Sequence, residues 1–300
     1  MDKMIILLAT ALFSGSAAAA PPRFEAWMNG TQAGEPPLQM QSIDPDTFVI
    51  RQSFIESANA PFVYLLFGTE KALLLDTGDA KWPIREAVDY LISDWLARND
   101  RSAIELVVAH SHSHSDHHAN DAAFAGRPQT SIVGLHPEEV AKFFGVAHWP
   151  EDTVTYDLGG RALTIIPTPG HEAAHIAIHD PRTKALLSGD SILPVHVLIP
   201  LDEFGTFRAS IERLATFARG HDVETLLGAH VEMAAQPGKD FELGAASHPK
   251  EHALPLKVDA LFELESALEA MGDRPEMQMH DEFAIVPLPH EVLAPYELHD

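Results

Sequence analysis

The chain has 300 residues, 46% of them hydrophobic and 21% charged, which is enough apolar material for a sizeable core and excludes a disordered chain. Acidic residues outnumber basic ones 44 to 20, for a formal net charge of -24, so nucleic acid and anionic membrane surfaces are excluded as partners and a small-molecule substrate is expected. Eighteen histidines and no cysteine rule out disulfides, and leave nitrogen and oxygen as the ligands of any metal site.

At the start of the chain, Lys3 precedes an apolar run from Met4 to Phe13 and a small-residue stretch from Ser14 to Ala20. This pattern reads as a signal peptide over residues 1–19, giving a periplasmic or secreted protein without a membrane anchor after cleavage. The apolar run is too short to span a bilayer. Residues 20–43 form a Pro- and Gly-rich lead.

Three apolar runs bounded by turn residues follow, TFVIRQ from Thr47, FVYLLF from Phe62 and KALLLD from Lys71, and read as sequential strands. Pro83 to Arg98 carries Ile84, Val88, Leu91, Ile92 and Trp95 at helical spacing behind a proline, the pattern of an amphipathic helix. IELVVA from Ile104 reads as a buried strand running into AHSHSHSDHHAN, residues 109–120. Two His-x-His registers exist there, and only the one starting at His112 supplies an acid four positions on and a histidine five positions on. The candidate ligands are therefore His112, His114, Asp116 and His117, on a loop that a strand end can hold rigid. His110 and His118 are read as structural.

Further along, Pro137 to Phe144 reads as a short helix and RALTIIPT from Arg161 as a strand. HIAIHDPRTKALLSGD from His175 reads as a hairpin with its turn at Asp180 to Thr183. A helix over Phe207 to Arg219 and a strand over Val223 to Leu227 complete an α/β pattern with helices packed on sheet faces. Beyond His230 the expectation is an irregular stretch over Gly238 to Pro255, a helix over Leu256 to Met271 and a terminal strand in EFAIVPLP. Residues 246–300 form an extension packed on a domain of residues 44–245 or serving as a homodimer contact. His248, His252, His280, His290 and His299 are read as solvated. Trp82, Phe143, Phe144 and Trp149 are read as core or lid packing in preference to a groove lining.

With these motifs in hand, the chain resembles the metallo-β-lactamase superfamily. LLLDTGDA, PTPGHEAAH, LLSGDSIL and LLGAH follow in the order that family shows. The resemblance implies a four-layer αββα sandwich with metals at one edge of two packed sheets. It also implies that Asp76 supports the metal-binding loop. One metal would be held by His112, His114 and His171, a second by Asp116, His117 and His230, with Asp190 and a bridging water or hydroxide completing both. Asp116 would orient the nucleophile and pass a proton to the leaving group. The cofactors implied are two divalent ions, zinc by default, with iron or manganese as alternatives.

The activity implied is hydrolysis of an ester, thioester or lactone. An aspartate at position 190 argues against β-lactam hydrolysis, which stays open as an alternative together with a non-catalytic metal-binding role. His175, four residues after His171, matches the glyoxalase II segment, and functional and structural readings of it are both open. Loops around Asp79 to Pro83, Phe143 to Asp152 and Leu193 to Phe207 are expected to select the substrate.

Overall fold

The computed structural model describes residues 8–9, 24–79 and 82–293. The expected signal peptide lies outside the described residues except for Leu8–Ala9. In chain order the elements are β1 (Leu8–Ala9), β2 (Leu38–Asp44), β3 (Thr47–Gln52), β4 (Phe62–Phe67), β5 (Lys71–Leu75), α1 (Ile84–Arg98), β6 (Glu105–Ala109), α2 (Ser115–His118), α3 (Asp121–Phe124), β7 (Thr130–Ile132), α4 (Pro137–Phe144) and β8 (Val154–Asp157). They continue with β9 (Ala162–Pro167), β10 (Ile176–Asp180), β11 (Ala185–Gly189), β12 (His196–Pro200), α5 (Phe204–Gly220), β13 (Thr225–Gly228), β14 (Pro255–Lys257), α6 (Asp259–Met271), β15 (Gln278–Met279) and β16 (Ala284–Leu288).

The strands form a seven-stranded sheet in the order β1-β2-β3-β4-β5-β6-β7, a six-stranded sheet β14-β13-β11-β10-β9-β8 and a small sheet β12-β16-β15. Continuous apolar runs are what strands buried on both faces require. In β4, Phe62, Tyr64 and Leu66 point into a central core with Leu73, Leu75 and Val107 of the first sheet and Ile165, Ile176 and Leu187 of the second. The intervening Val63, Leu65 and Phe67 point outward against Val88, Leu91 and Trp95 of α1. On the far side, Ala177, Leu186 and Leu226 pack under Phe207, Ile211 and Leu214 of α5 and Leu261, Leu264 and Leu268 of α6. Helix, sheet, sheet and helix are thus stacked in the four layers expected.

Residues beyond 246 are woven into these layers. β14 pairs antiparallel with β13, α6 packs against α5, and β16 runs parallel to β12. The pairing of Pro255–Lys257 with β13 delays the last long helix to Asp259. The helix expected from Phe207 begins three residues earlier, at Phe204. His248 is not solvated: it is 3% exposed, its ring lies flat on Phe241 and its Nδ1 donates to the carbonyl of Val231 at 2.7 Å. His299 lies outside the described residues.

Two buried arginines tie distant segments together. Arg161, between β8 and β9, donates to both carboxylate oxygens of Asp180 (3.3 and 2.6 Å), to the carbonyls of Asp46 and Phe67, and to Thr47 Oγ1, linking the two large sheets. Arg51 of β3 forms a two-pronged pair with Glu251 (2.5 and 2.9 Å) and stacks beside the rings of Phe54 and Phe62.

Candidate metal centre

Strands β9, β11 and β13 run in the same direction, so their carboxyl ends lie at one edge of the second sheet, and each delivers one candidate residue in the turn that follows: His171, Asp190 and His230. From the first sheet, β6 ends at Ala109 and leads into the loop and one-turn helix α2 that carry His112, His114, Asp116 and His117. Two glycines allow the close approach. A Cβ on Gly170 (φ +131°) would lie 2.4 Å from the backbone of Phe207, and one on Gly189 (φ +50°) 2.7 Å from His175 Nε2.

All seven residues converge. His114 Nδ1 lies 2.9 Å from His112 Nε2 and 3.1 Å from His171 Nε2. His230 Nε2 lies 3.5 Å from His117 Nε2 and 3.4 Å from Asp116 Oδ2. Between these clusters sits Asp190, whose Oδ2 is 3.7 Å from His117 and His171 and 3.8 Å from His230.

The outward ring nitrogens are held by neighbours. His117 Nδ1 meets Asp76 Oδ2 at 3.0 Å, His171 Nδ1 the carbonyl of Leu198 at 2.8 Å, and His230 Nδ1 the carbonyl of Asn59 at 3.0 Å. Ser111 Oγ donates to Asp76 Oδ2, leaving its lone pairs for His112 Nδ1 at 3.1 Å. Acceptors on Nδ1 favour the tautomer that leaves the inward Nε2 lone pair free. Asp76 is 1% exposed and sits at φ +69°, a left-handed conformation costly for an aspartate, held by its bonds to Ser111 and His117.

These residues fit divalent metal ions. Nitrogens about 2.0–2.1 Å from a tetrahedral ion stand roughly 3.3 Å apart, close to the separations between the histidines. Nearly buried as they are, His112, His114 and His171 bring three ring nitrogens within 4.8 Å of one another, and so do the donor atoms of Asp116, His117 and His230 and those of His112, His117 and Asp190. Protonation agrees with a ligand role. Burial, reinforced by the neighbouring imidazoles, pushes His112 well below the usual histidine range and His114 down to about 2, so both stay neutral donors. Burial works to raise Asp190, but His230, His117 and His171 outweigh it and hold the carboxylate ionised. Burial also disfavours charge on His117, yet Asp116, Asp76 and Asp190 raise it, so metal uptake there competes with a proton.

His175 lies behind the centre, against the backbone of Asp190. It is fully buried, its Nε2 accepts the backbone N–H of Asp190 at 3.1 Å, and its Nδ1 meets Thr168 Oγ1 at 2.7 Å. Burial brings it down to about 3. The metal-free protein should consequently lose stability in acid. His114 and His175 take up protons only on unfolding, so stability falls as pH drops below about 6.5, by of the order of 2 kcal/mol for each histidine by about pH 5. His117, raised instead, contributes its full share below 6.5 and adds no slope there. Urea melts of the chelated protein across this range measure the effect, and a flat profile would contradict it.

Sequence reasoning missed Asn59 and Glu172. Asn59 Nδ2 donates to Asp116 Oδ2 at 3.1 Å, and Glu172 Oε2 accepts from the backbone of Ser113 and Ala174. Both sit in turns without a distinguishing local pattern. The centre opens into a cleft of about 250 Å³ whose wall includes Val195, His196 and Leu198 from one of the three expected loops, and Leu243, Gly244, Val292 and Leu293 from the C-terminal part; no residue of 143–152, and no described residue of 79–83, lines it. Trp82 and Phe144 pack in the cores, and Phe143 and Trp149, partly buried, pack against the central one.

Residues 58–230 match the family model described as the metallo-beta-lactamase superfamily. The acyl-coenzyme A thioesterase MBLAC2 of Homo sapiens is 28% identical over 225 residues, covering 63% of this chain and 80% of that protein. A hydroxyacylglutathione hydrolase of Mesorhizobium japonicum is 33% identical over 82 residues, 27% of this chain and 32% of that protein. Among solved structures, a metallo-beta-lactamase from Pontibacter korlensis superposes with a TM-score of 0.52 at 16% identity, covering 77% of this chain and 99% of that one. Layering, histidine order and the family match over more than half of the chain agree, and the chain belongs to the metallo-β-lactamase superfamily of hydrolases.

Proposed function

We propose that this protein is an exported binuclear hydrolase that cleaves an ester, thioester or lactone at its acyl carbonyl. The observation that carries the reading is Asp190, whose Oδ2 stands at near-equal distance from His171 of one cluster and from His117 and His230 of the other. His112, His114 and His171 would hold one divalent ion, Asp116, His117 and His230 the second, with Asp190 shared. The all-nitrogen and oxygen donor set favours zinc, with iron or manganese compatible. Two bound ions would supply Lewis acidity, lowering the pKa of a metal-bound water and polarising the carbonyl oxygen of the acyl group.

The remaining steps fall to the chain's own groups. Asp116 reaches the cleft, and Asn59 fixes the carboxylate from one side, so that it can take the proton of the attacking water and return it to the leaving group. Asp76 and Ser111 hold the ligand loop, and His175 sets the backbone of Asp190. The named activities of the thioesterase and hydroxyacylglutathione hydrolase relatives support an acyl carbonyl as the target. Export rests on Lys3 and the apolar run after it, and N-terminal sequencing of the mature protein tests it.

Elemental analysis of the purified protein, beside assays on ester, thioester, lactone, phosphodiester and β-lactam probes, tests the whole reading. Two equivalents of metal and acyl-bond turnover abolished in His114→Ala and Asp116→Ala are expected. Two equivalents without turnover of any acyl probe would sink it.

A further inference from the structure

Among the described residues, fourteen line the cleft over the metal centre, and none of these is lysine or arginine. Outside the candidate ligands the lining divides into two kinds of chemistry. Val195, Leu198, Leu243, Val292 and Leu293 are aliphatic. Two of them, Leu243 at 59% and Val292 at 54%, are among the few large apolar side chains that the described surface leaves exposed. Exposed aliphatic groups gathered at one concavity favour an apolar partner.

The charged lining residues are His196 and Glu232. His196 Nδ1 lies 2.9 Å from Glu232 Oε2, and its Nε2 lies 2.7 Å from Asp240 Oδ2 just behind. The ring donates to both carboxylates, which raises His196, so two carboxylates face at most one positive charge at this wall of the cleft. Both ring N–H groups are committed to those carboxylates, which leaves none to bind a phosphate or carboxylate of a substrate.

Leaving groups built on coenzyme A carry several phosphate charges and those built on glutathione carry carboxylates. Sites that bind such groups present arginine or lysine to them. Resting on the hydrolase reading, we infer that this cleft selects an acyl compound with an apolar acyl chain and an uncharged or cationic leaving group, and disfavours anionic carrier thioesters. Water adds its oxygen to the acyl carbon, the bond to the leaving heteroatom breaks, and that atom leaves with the proton, giving a carboxylic acid and a neutral or cationic alcohol or thiol.

The test offers one medium-length acyl chain on two carriers, pantetheine, which is uncharged, and coenzyme A, which adds the phosphates without altering the scissile bond. The zinc-loaded enzyme should show a kcat/KM at least about tenfold higher for the pantetheine thioester, of the size that a single unfavourable charge contact produces. Raising the ionic strength from about 10 mM to about 1 M should shrink the ratio, since the Debye length falls from about 30 to about 3 Å. Glu232→Gln should move the ratio toward unity, a change that mere loosening of the cleft would not produce. Equal or faster turnover of the coenzyme A thioester overturns the inference and leaves the hydrolase reading standing. Turnover of neither thioester, nor of a neutral ester with the same acyl chain, by fully metallated protein overturns both.

Discussion

Asp190→Ala is expected to lower kcat/KM by more than about 100-fold and to reduce bound metal well below that of the parent protein. Removing a partner that merely orients a ligand costs about 10- to 100-fold in metal affinity or activity. Asp190 stands closer to the centre than any such partner: its Oδ2 faces histidines of both clusters within 3.8 Å. Without the carboxylate, five imidazoles and Asp116 must share the charge of two cations, and the clusters lose the atom that spans them. Elemental analysis and initial rates on the same preparation measure the effect, and a thermal melt shows whether the fold survives. Full metal content with rates within a factor of a few of the parent would remove Asp190 from the centre.

Arg161→Met should destabilise the protein by about 3–5 kcal/mol, the cost of leaving one partner of a buried ion pair uncompensated. Arg161 is 3% and Asp180 1% exposed, so water cannot replace the lost donors. The variant strands the Asp180 carboxylate, along with the carbonyls of Asp46 and Phe67 and the Thr47 hydroxyl, which together receive bonds from Arg161. Asp180 is held low because Arg161 and Thr183 outweigh its burial; once the guanidinium is gone, that carboxyl should tend to take up a proton. Denaturant midpoints give the loss, and the paired change Arg161→Met with Asp180→Leu should recover much of it. A single variant within about 1 kcal/mol of the parent would show that the sheets do not depend on this link.

Much of the centre could be read from the chain because metal ligation leaves a local record. His112 to His117 are adjacent in sequence, and His171, Asp190 and His230 each follow a strand whose apolar run is conspicuous. The double-faced burial of β4, β5 and β6 was equally visible as continuous hydrophobic runs. β2 was not, since Leu38 and Met40 alternate with glutamines after two prolines in a segment that looks like a lead. β12 was hidden among substrate-loop residues because its pairing with β16 depends on residues almost ninety positions away. His248 failed for the same reason: isolated among polar residues in sequence, it is buried by Phe241 and Phe54 in space. Asn59 and the walls at Leu243 and Val292 carry no local pattern; only tertiary packing makes them part of the site.

The pairing of Arg51 with Glu251 sets an order of events in biosynthesis. The partners are 200 residues apart, so at about 5–20 residues per second a ribosome needs roughly 10–40 s after Arg51 to make Glu251. During that interval the guanidinium near the end of β3 lacks the Glu251 carboxylate, and its burial is unfavourable. Burial of Arg51 in the first sheet is therefore completed only after the segment carrying Glu251 has been made, long after every strand of that sheet.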